Sequence, residues 1–387
     1  MNIGVPGEVV SNETRVALVP DAAREWQEAG HTVIVSSGLG RGAGWYDSAY
    51  RDAGCTVVDD REAVFEQADV VFQVRGLANG AESAVDSYRN GQIIIGLLDP
   101  YAIDPKIEKM LEERELTAFA LELIPRISRA QRMDALSSMA SIGGYKAAVM
   151  AADTLPKMFP MQMTAAGTVQ PAEVFVVGAG VAGLQAIATA GRLGASVKAY
   201  DIRPEVKEEV ESLGAEFVEL DLETDDAADE EGHAREQDED FYQKQREMMR
   251  RVVAESAVVI TTAAIPGKPS PELVTTSMIE EMEPGSVIID LAAAGGGNCE
   301  PTSSDEEVMV GDVRVFGPTN LPGRVPRHAS ELYSNNVVNF FQYIYDDDEG
   351  TIAIDPTDEI VDATMLANAG TVRSPHVDGN EPEEEND

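Results

Sequence analysis

Three glycines and one aspartate carry the most explicit chemistry in this chain. In Val174-Phe-Val-Val-Gly-Ala-Gly-Val-Ala-Gly183, Gly178, Gly180 and Gly183 fall on a G-x-G-x-x-G spacing directly after four apolar residues. Each glycine has a mechanical task. Gly178 permits a tight turn, Gly180 lets the backbone approach a pyrophosphate, and Gly183 lets a helix pack closely on a strand. The helix opening at Val181 then offers N–H groups and a partial positive charge to the phosphates. Asp201 ends the next apolar run, Val197 to Tyr200, about 20 residues on, where a carboxylate accepts hydrogen bonds from the adenosine ribose hydroxyls. The same carboxylate repels a 2′-phosphate, so the expected ligand is NAD(H) rather than NADP(H). A lone glycine spacing is weak, and a purely structural turn is the alternative. Here strand, glycines, helix, second strand and terminal acid occur in order.

A second polar group lies upstream, in Pro125-Arg-Ile-Ser-Arg-Ala-Gln-Arg-Met-Asp-Ala-Leu-Ser137. It holds Arg126, Arg129, Gln131, Arg132 and Asp134 before an apolar pattern resumes, and it reads as a loop between two domains. An ion-paired interdomain hinge is the alternative to a functional role. None of the four histidines, His31, His233, His328 and His376, stands where it reads as a proton donor to a keto substrate, and no metal-ligand set is read.

The elements that must position these groups imply two domains. At 387 residues the chain exceeds one ordinary core, and 43% apolar residues suffice for both to be globular. No stretch approaches the ~20 apolar residues of a spanning helix, and Met1-Asn-Ile-Gly-Val enters a strand with no signal-peptide pattern. Two cysteines, Cys55 and Cys299, are too few for a disulfide framework and fit a reducing cytoplasm.

The net charge of −40 argues against binding nucleic acid or anionic lipid. It fits a solvated acidic surface of a halophilic protein, kept soluble in a salt-rich cytoplasm; an ordinary acidic protein with an acidic tail is the bland alternative. Melting temperature should therefore climb between low and molar KCl. Screening already acts over ~10 Å at 0.1 M and ~3 Å at 1 M, so most of the electrostatic gain should arrive below molar salt. A flat melting temperature would remove the halophilic reading.

Residues 1 to 125 alternate strands and helices: Ile3–Val5, a helix over 21–29 behind Pro20, Thr32–Val35, Ala68–Val74, Gln92–Leu98, a helix over 105–114 and Leu116–Leu121. Such alternation predicts a parallel doubly wound sheet. This segment has no glycine-rich phosphate loop and reads as a companion domain. The interdomain loop and a crossing helix, from about Ser138 to Lys157, occupy 126–172.

A nucleotide domain over 173–329 follows, with helices over 205–213 and 241–254 and strands at Glu216–Leu220, Ala257–Thr261, Ser286–Leu291 and Val313–Phe316, the last of these read as the final strand. The loop Thr262-Ala-Ala-Ile-Pro-Gly-Lys-Pro269 sits at a strand's carboxyl end, where ligands of open α/β sheets bind. From Glu219 to Asp240, twelve acids and one arginine predict a mobile loop, and Asp378 to Asp387 a disordered tail. Ser330 to Tyr345 reads as a helix and Val361 to Leu366 as another; the segment 330–370 is expected to complete the first domain. The fold class is α/β: two Rossmann-like doubly wound parallel-sheet domains with a cleft between them.

At this point the chain resembles the NAD(H)-binding component, domain I, of proton-translocating NAD(P) transhydrogenases, a family related to alanine dehydrogenase. The likeness covers nearly the whole chain. It rests on Arg126-Ile-Ser-Arg-Ala-Gln131, Met133-Asp-Ala-Leu-Ser-Ser138, Gly144-Tyr-Lys146, Val177–Gln185, Asp201-Ile-Arg203, Thr261–Pro269, Gly285–Leu291 and Gly296-Gly-Asn-Cys299. The resemblance implies hydride transfer between NAD(H) held here and NADP(H) held on a partner subunit. A separate membrane subunit would couple that transfer to proton movement, with this chain a homodimer on the cytoplasmic face of the membrane. It also implies that Gln131 contacts the dihydronicotinamide side, and that Arg126, Asp134 and Ser137 shape the ribose and carboxamide pocket. Ile127, Ser128 and Arg129 would join those contacts, Val181, Asp201, Ile202 and Arg203 line the adenosine half, and Gly232, Gln245 and Ala264 close over the cofactor.

The chain departs from the family pattern at His233, where relatives show Tyr, at the small Ala264, and at Ala293-Ala-Gly-Gly296. The competing reading is a soluble alanine dehydrogenase-like enzyme. That enzyme's lysine would align near Arg75 and its histidine within Gly96-Leu-Leu-Asp-Pro-Tyr101, which contains none. A non-catalytic NAD-sensing module is a third reading, disfavoured by the intact Arg126, Gln131 and Asp134 set. Direct transfer between two nicotinamides needs positioning rather than acid–base groups, in keeping with what the sequence lacks.

Overall fold

The structure, a computed structural model, describes residues 1–77, 86–219 and 239–373. The chain divides into two compact units, Met1–Met139 with the chain from Pro322 onward, and Ala140–Leu321.

In the first unit, β1 (Asn2–Val5), α1 (Pro20–Glu28), β2 (Thr32–Ser36), α2 (Asp47–Asp52), β3 (Thr56–Val58), α3 (Glu62–Gln67), β4 (Val70–Phe72), β5 (Ile93–Gly96), α4 (Pro105–Glu113) and β6 (Thr117–Ala120) follow in order. The strands pair in parallel in the order β3-β2-β1-β4-β5-β6, so the winding reverses between β1 and β4. Local chemistry sets the helix ends. α1 and α4 open on Pro20 and Pro105, whose fixed φ suits a first helical position. Asp104 also caps α4, accepting from the Lys106 N–H at 2.7 Å. The elements between Asp47 and Gln67 are only three to six residues long, too short to show a period, and the sequence reading passed over them.

α5 (Ala135–Thr154) is the long helix expected after the polar loop, and the division between units falls within it. Beyond it come an exposed hairpin, β7 (Gln162–Thr164) and β8 (Gly167–Val169), then β9 (Glu173–Val177), α6 (Val181–Arg192), β10 (Ser196–Tyr200), α7 (Lys207–Ser212), β11 (Glu216–Phe217), α8 (Glu239–Glu255), β12 (Val258–Thr261), α9 (Thr276–Ile279), β13 (Val287–Asp290), β14 (Glu307–Val310) and β15 (Val313–Phe316). The second sheet runs β11-β10-β9-β12-β13-β15-β14, parallel except for β14, and reverses between β9 and β12.

Alternate residues of its central strands enter different cores. Val174, Val176, Val258 and Ile260 pack with Ala186 and Ile187 of α6, whereas Phe175, Val177 and Val259 pack with Met249 and Val253 of α8. A sheet covered on both faces needs unbroken apolar runs, and this is why its strands were legible. Each fully buried Val or Ile contributes about 1.5–3 kcal/mol.

The chain then returns to the first unit through α10 (Pro326–Ile344), β16 (Tyr345–Asp346), β17 (Thr351–Ile352), α11 (Glu359–Thr364), β18 (Met365–Asn368) and β19 (Thr371–Val372). β18 pairs antiparallel with β6 and extends the first sheet. Val313–Phe316 is the last strand of the second unit, as expected, but the helix read over 361–366 stops at Thr364, leaving Leu366 in β18. Met-Leu-Ala has no strong strand preference of its own; the open edge of β6 and the burial of Leu366 and Ala367 decide its conformation.

Most of the acidic stretch 219–240, with Gly232 and His233, and the tail 378–387 lie outside the described residues. Among the described residues no helix is long and apolar enough to cross a membrane.

Candidate dinucleotide-binding site

The glycine turn lies at the carboxyl end of β9, beside the reversal of strand order, where open α/β sheets bind ligands. Gly178 has φ +96°, and a Cβ there would sit 2.6 Å from Thr262 Oγ1. A Cβ on Gly183 would lie 1.8 Å from the Gly178 carbonyl oxygen, so α6 approaches the turn as closely as only glycine permits. A Cβ on Gly180 would meet nothing within 4 Å among the described residues. Gly180 is also the N-cap of α6 and lends that helix no side-chain cap. Open space in front of an uncapped helix N-terminus fits a pyrophosphate. Val181, the first residue of α6, is exposed.

Asp201 stands where expected, at the end of β10, but its carboxylate is already engaged. Oδ2 accepts from the Ala179 N–H within the glycine turn at 2.6 Å and from Arg203 Nη2 at 2.8 Å; Oδ1 accepts from the Arg203 backbone N–H and Nε, both at 2.9 Å. Four donors fill the roughly four lone-pair sites of a carboxylate. The hydrogen bond to Asp201 raises the Arg203 guanidinium pKa further, so the guanidinium stays charged against the Asp201 side chain. Ile202, between them, is half-buried. Accepting from a ribose hydroxyl would require Arg203 to yield at least one of these sites.

Gln245 on α8 is buried and donates through Nε2 to the Tyr200 hydroxyl at 2.9 Å, while its Oε1 meets no donor among the described residues. Burial raises the Tyr200 hydroxyl to about 12, so it stays protonated. Ala264 is exposed in the loop after β12. That loop is tied to the glycine turn: the Thr262 N–H donates to the Val177 carbonyl at 2.8 Å, and Thr262 Oγ1 to the Gly178 carbonyl at 3.0 Å.

The other expected site residues lie together in the first unit. Ser128–Met133 forms a 3₁₀ turn, with Ala130 and Met133 buried and Arg126, Ser128 and Gln131 exposed; Ile127 is half-buried. Asp134 accepts from the Ser137 N–H at 2.8 Å and from Ser137 Oγ at 2.5 Å, which caps the start of α5. Arg129 is engaged by the C-terminal segment, with Nη1 3.1 Å from both the Tyr343 hydroxyl and Asp358 and Nη2 3.4 Å from Glu359. A cofactor contact by Arg129 would have to displace those partners.

The sequence reading missed buried and half-buried ionisable groups at the carboxyl edge of the first sheet. Glu8 accepts from the Val74 and Arg75 N–H groups at 2.7 and 3.0 Å, and burial pushes its carboxyl up to about 7. Glu122 accepts from the Asp99 N–H at 2.9 Å; burial pushes it too to about 7, and its Oε2 is buried without a partner among the described residues. Arg15 is buried against Glu13, with Nε 2.7 Å from Oε1. Arg75 is paired with Asp99 at 3.3 Å, so a substrate carboxylate would have to compete for it. The available signal was positional: Glu8, Asp99 and Glu122 each follow a parallel strand within a few residues.

Comparison with known proteins gives a consistent result. A family model described as "Alanine dehydrogenase/PNT, N-terminal domain" matches residues 4–143, and "Alanine dehydrogenase/PNT, C-terminal domain" matches 147–375. The chain is 42% identical to a NAD(P) transhydrogenase alpha-subunit chain of Rhodospirillum rubrum, over 98% of this chain and 99% of that one. The solved transhydrogenase of Sinorhizobium meliloti superimposes with a TM-score of 0.84 at 40% identity, covering 96% of this chain and 100% of that one. An L-alanine dehydrogenase structure superimposes with a TM-score of 0.81 at 26% identity, covering 97% of each.

Proposed function

We propose, from the premise that this chain belongs to the alanine dehydrogenase/PNT family among the NAD(P) transhydrogenase alpha subunits, that it holds NAD(H) for direct hydride exchange with NADP(H) on a partner subunit. A separate membrane subunit couples the exchange to proton translocation, which places this oxidoreductase chain at the cytoplasmic face of the membrane. The observation that carries the nucleotide reading is the turn at Gly178–Gly183, with open space at Gly180 before an uncapped α6. When bound, the nicotinamide supplies the hydride. This chain's residues supply position: the α6 N–H groups take the pyrophosphate, Asp201, Ile202 and Arg203 the adenosine ribose, and Gln131, Arg126, Asp134 and Ser137 the nicotinamide end. The exposed hairpin, with Met161, Met163 and Val169 at 58, 74 and 45% exposure, offers apolar surface for the second copy of a homodimer.

NAD(H) preference rests on the Asp201–Arg203 pair rather than on Asp201 alone. Calorimetry should show weaker binding of NADPH than of NADH. Asp201→Ala should narrow the gap, because it removes the repelling carboxylate and releases a guanidinium for the 2′-phosphate. Arg203→Ala should widen it. Equal affinities in the unmodified protein would end the argument from this pair. The same preparation should reduce neither pyruvate nor other 2-oxo acids; turnover of pyruvate with ammonia would instead establish the alanine dehydrogenase reading.

A further inference from the structure

We propose that Asn298, held by Asp290, is a positioning residue that sets the Thr262–Pro269 loop for the nicotinamide half of the dinucleotide, an inference that rests on the NAD(H) reading above. Asn298 lies in the loop after β13, and its side chain is wholly buried. Both Nδ2 hydrogens and the Oδ1 atom are engaged by that loop. Oδ1 accepts from the Ala263 N–H at 3.0 Å, and Nδ2 donates to the Ala263 and Pro271 carbonyls, both at 2.8 Å. Its own carbonyl accepts from the Leu273 and Val274 N–H groups at 2.8 and 2.9 Å. One residue thus fixes both faces of Ala263 and both ends of the stretch from Ala263 to Val274.

Asp290 fixes Asn298 in turn. It is fully buried at the end of β13, and its Oδ2 accepts from the Asn298 N–H at 2.7 Å, the Cys299 N–H at 3.0 Å and Thr302 Oγ1 at 2.6 Å. Oδ1 accepts from the Ala292 N–H at 3.0 Å. A buried carboxylate accepting from four donors orders the backbone around it, and that order is what holds Asn298 in one orientation. Ser270 adds a further tie, its N–H donating to the Gly295 carbonyl at 2.8 Å and its Oγ to the Ala292 carbonyl at 3.2 Å.

Topology says which half of the ligand this loop serves. With adenosine at the end of β10 and the pyrophosphate before α6, the remaining half must continue across β12, next in the sheet after β9. Thr262 and Ala263 follow β12 directly. Asn298 is too buried to touch a ligand; it acts through Ala263, leaving the neighbouring Ala264 exposed at a defined place.

The test uses the full chain and two probes, NADH and ADP, the second lacking the nicotinamide half. Asn298→Asp keeps the acceptor for the Ala263 N–H and sets an oxygen against two carbonyls at nearly constant volume. It should weaken NADH binding by ~10-fold or more and ADP binding by less than about twofold, and move the emission of bound NADH toward that of free NADH. Equal losses for both probes would overturn the proposal and leave Asn298 a general support of the fold. If Asn298→Asp does not fold, Ser270→Ala reads the same ratio: selective loss of NADH affinity supports the clamp, and an equal change in both probes overturns it. Wild-type protein that binds ADP but not NADH would overturn the NAD(H) reading itself, and that is seen before any variant is made.

Discussion

On the proposed hydride exchange with NADP(H) held by a partner subunit, replacing Gln131 with Asn should slow transfer by ~10²-fold while leaving the NADH dissociation constant nearly unchanged, because misplacing reacting atoms by about 1 Å costs that much in rate. The structure supplies the rigidity this effect requires. Gln131 is exposed, yet its backbone belongs to a 3₁₀ turn anchored on both sides by buried Ala130 and Met133. The next carbonyl, of Arg132, accepts from Asn336 Nδ2 of α10 at 2.9 Å. Arg129, two residues earlier, is held by Tyr343 and Asp358, and Asp134 caps α5 through Ser137. The amide therefore projects from a fixed backbone, and only the side chain itself has to be ordered when it orients a ring. An amide can also hydrogen-bond without exchanging a proton, which suits a reaction whose moving species is hydride. Asn retains the group but withdraws it by one methylene. Stopped-flow transfer with the NADP(H)-binding partner, set beside calorimetric NADH binding, separates rate from affinity. Wild-type transfer in this variant would leave the turn a structural hinge.

Stability should fall as pH rises from 5 to 8, and Glu122→Gln should remove a share of that fall. Burial raises the Glu122 carboxyl from 4.5 to about 7, with Asp99 adding to the rise. The folded state thus holds this proton more tightly than the unfolded chain does. Its contribution is complete below about pH 4.5 and is lost as pH climbs through about 7. Gln keeps the acceptor for the Asp99 N–H and places its NH₂ where Oε2 has no partner. At pH 5 variant and parent should unfold at similar urea concentrations. At pH 8, in molar KCl to screen the acidic surface, the variant should be more stable by about 1–3 kcal/mol. A difference that does not change with pH would mean that folding does not raise the Glu122 carboxyl above its ordinary value. Glu8 titrates in the same direction but makes a poorer test, because both its oxygens accept backbone N–H groups and an amide would oppose one of them.

What the amino-acid sequence determined by itself was whatever depends on backbone conformation and short-range periodicity. Gly178 and Gly183 declared the turn because side chains rarely adopt the positive φ of the first, where a Cβ would also lie 2.6 Å from Thr262 Oγ1, and none fits the 1.8 Å contact at the second. Val174–Val177 and Val258–Thr261 declared central strands because both faces of their sheet are covered. The Arg126–Ser137 motif declared the family, which the comparisons establish, but not what each side chain touches. Tertiary structure alone decided those contacts, since their partners are distant in sequence. Arg129 is held by residues more than 200 positions away, the Ala263 peptide by Asn298 35 positions on, and β18 by the open edge of β6. The charge of Asp201 shows the limit at short range: its position was legible, but whether it repels a phosphate depends on where Arg203, two residues on, turns its guanidinium. A residue's type and spacing fix which interactions it is able to make; only the fold selects which donor reaches which acceptor, because burial removes the water that would otherwise satisfy any of them.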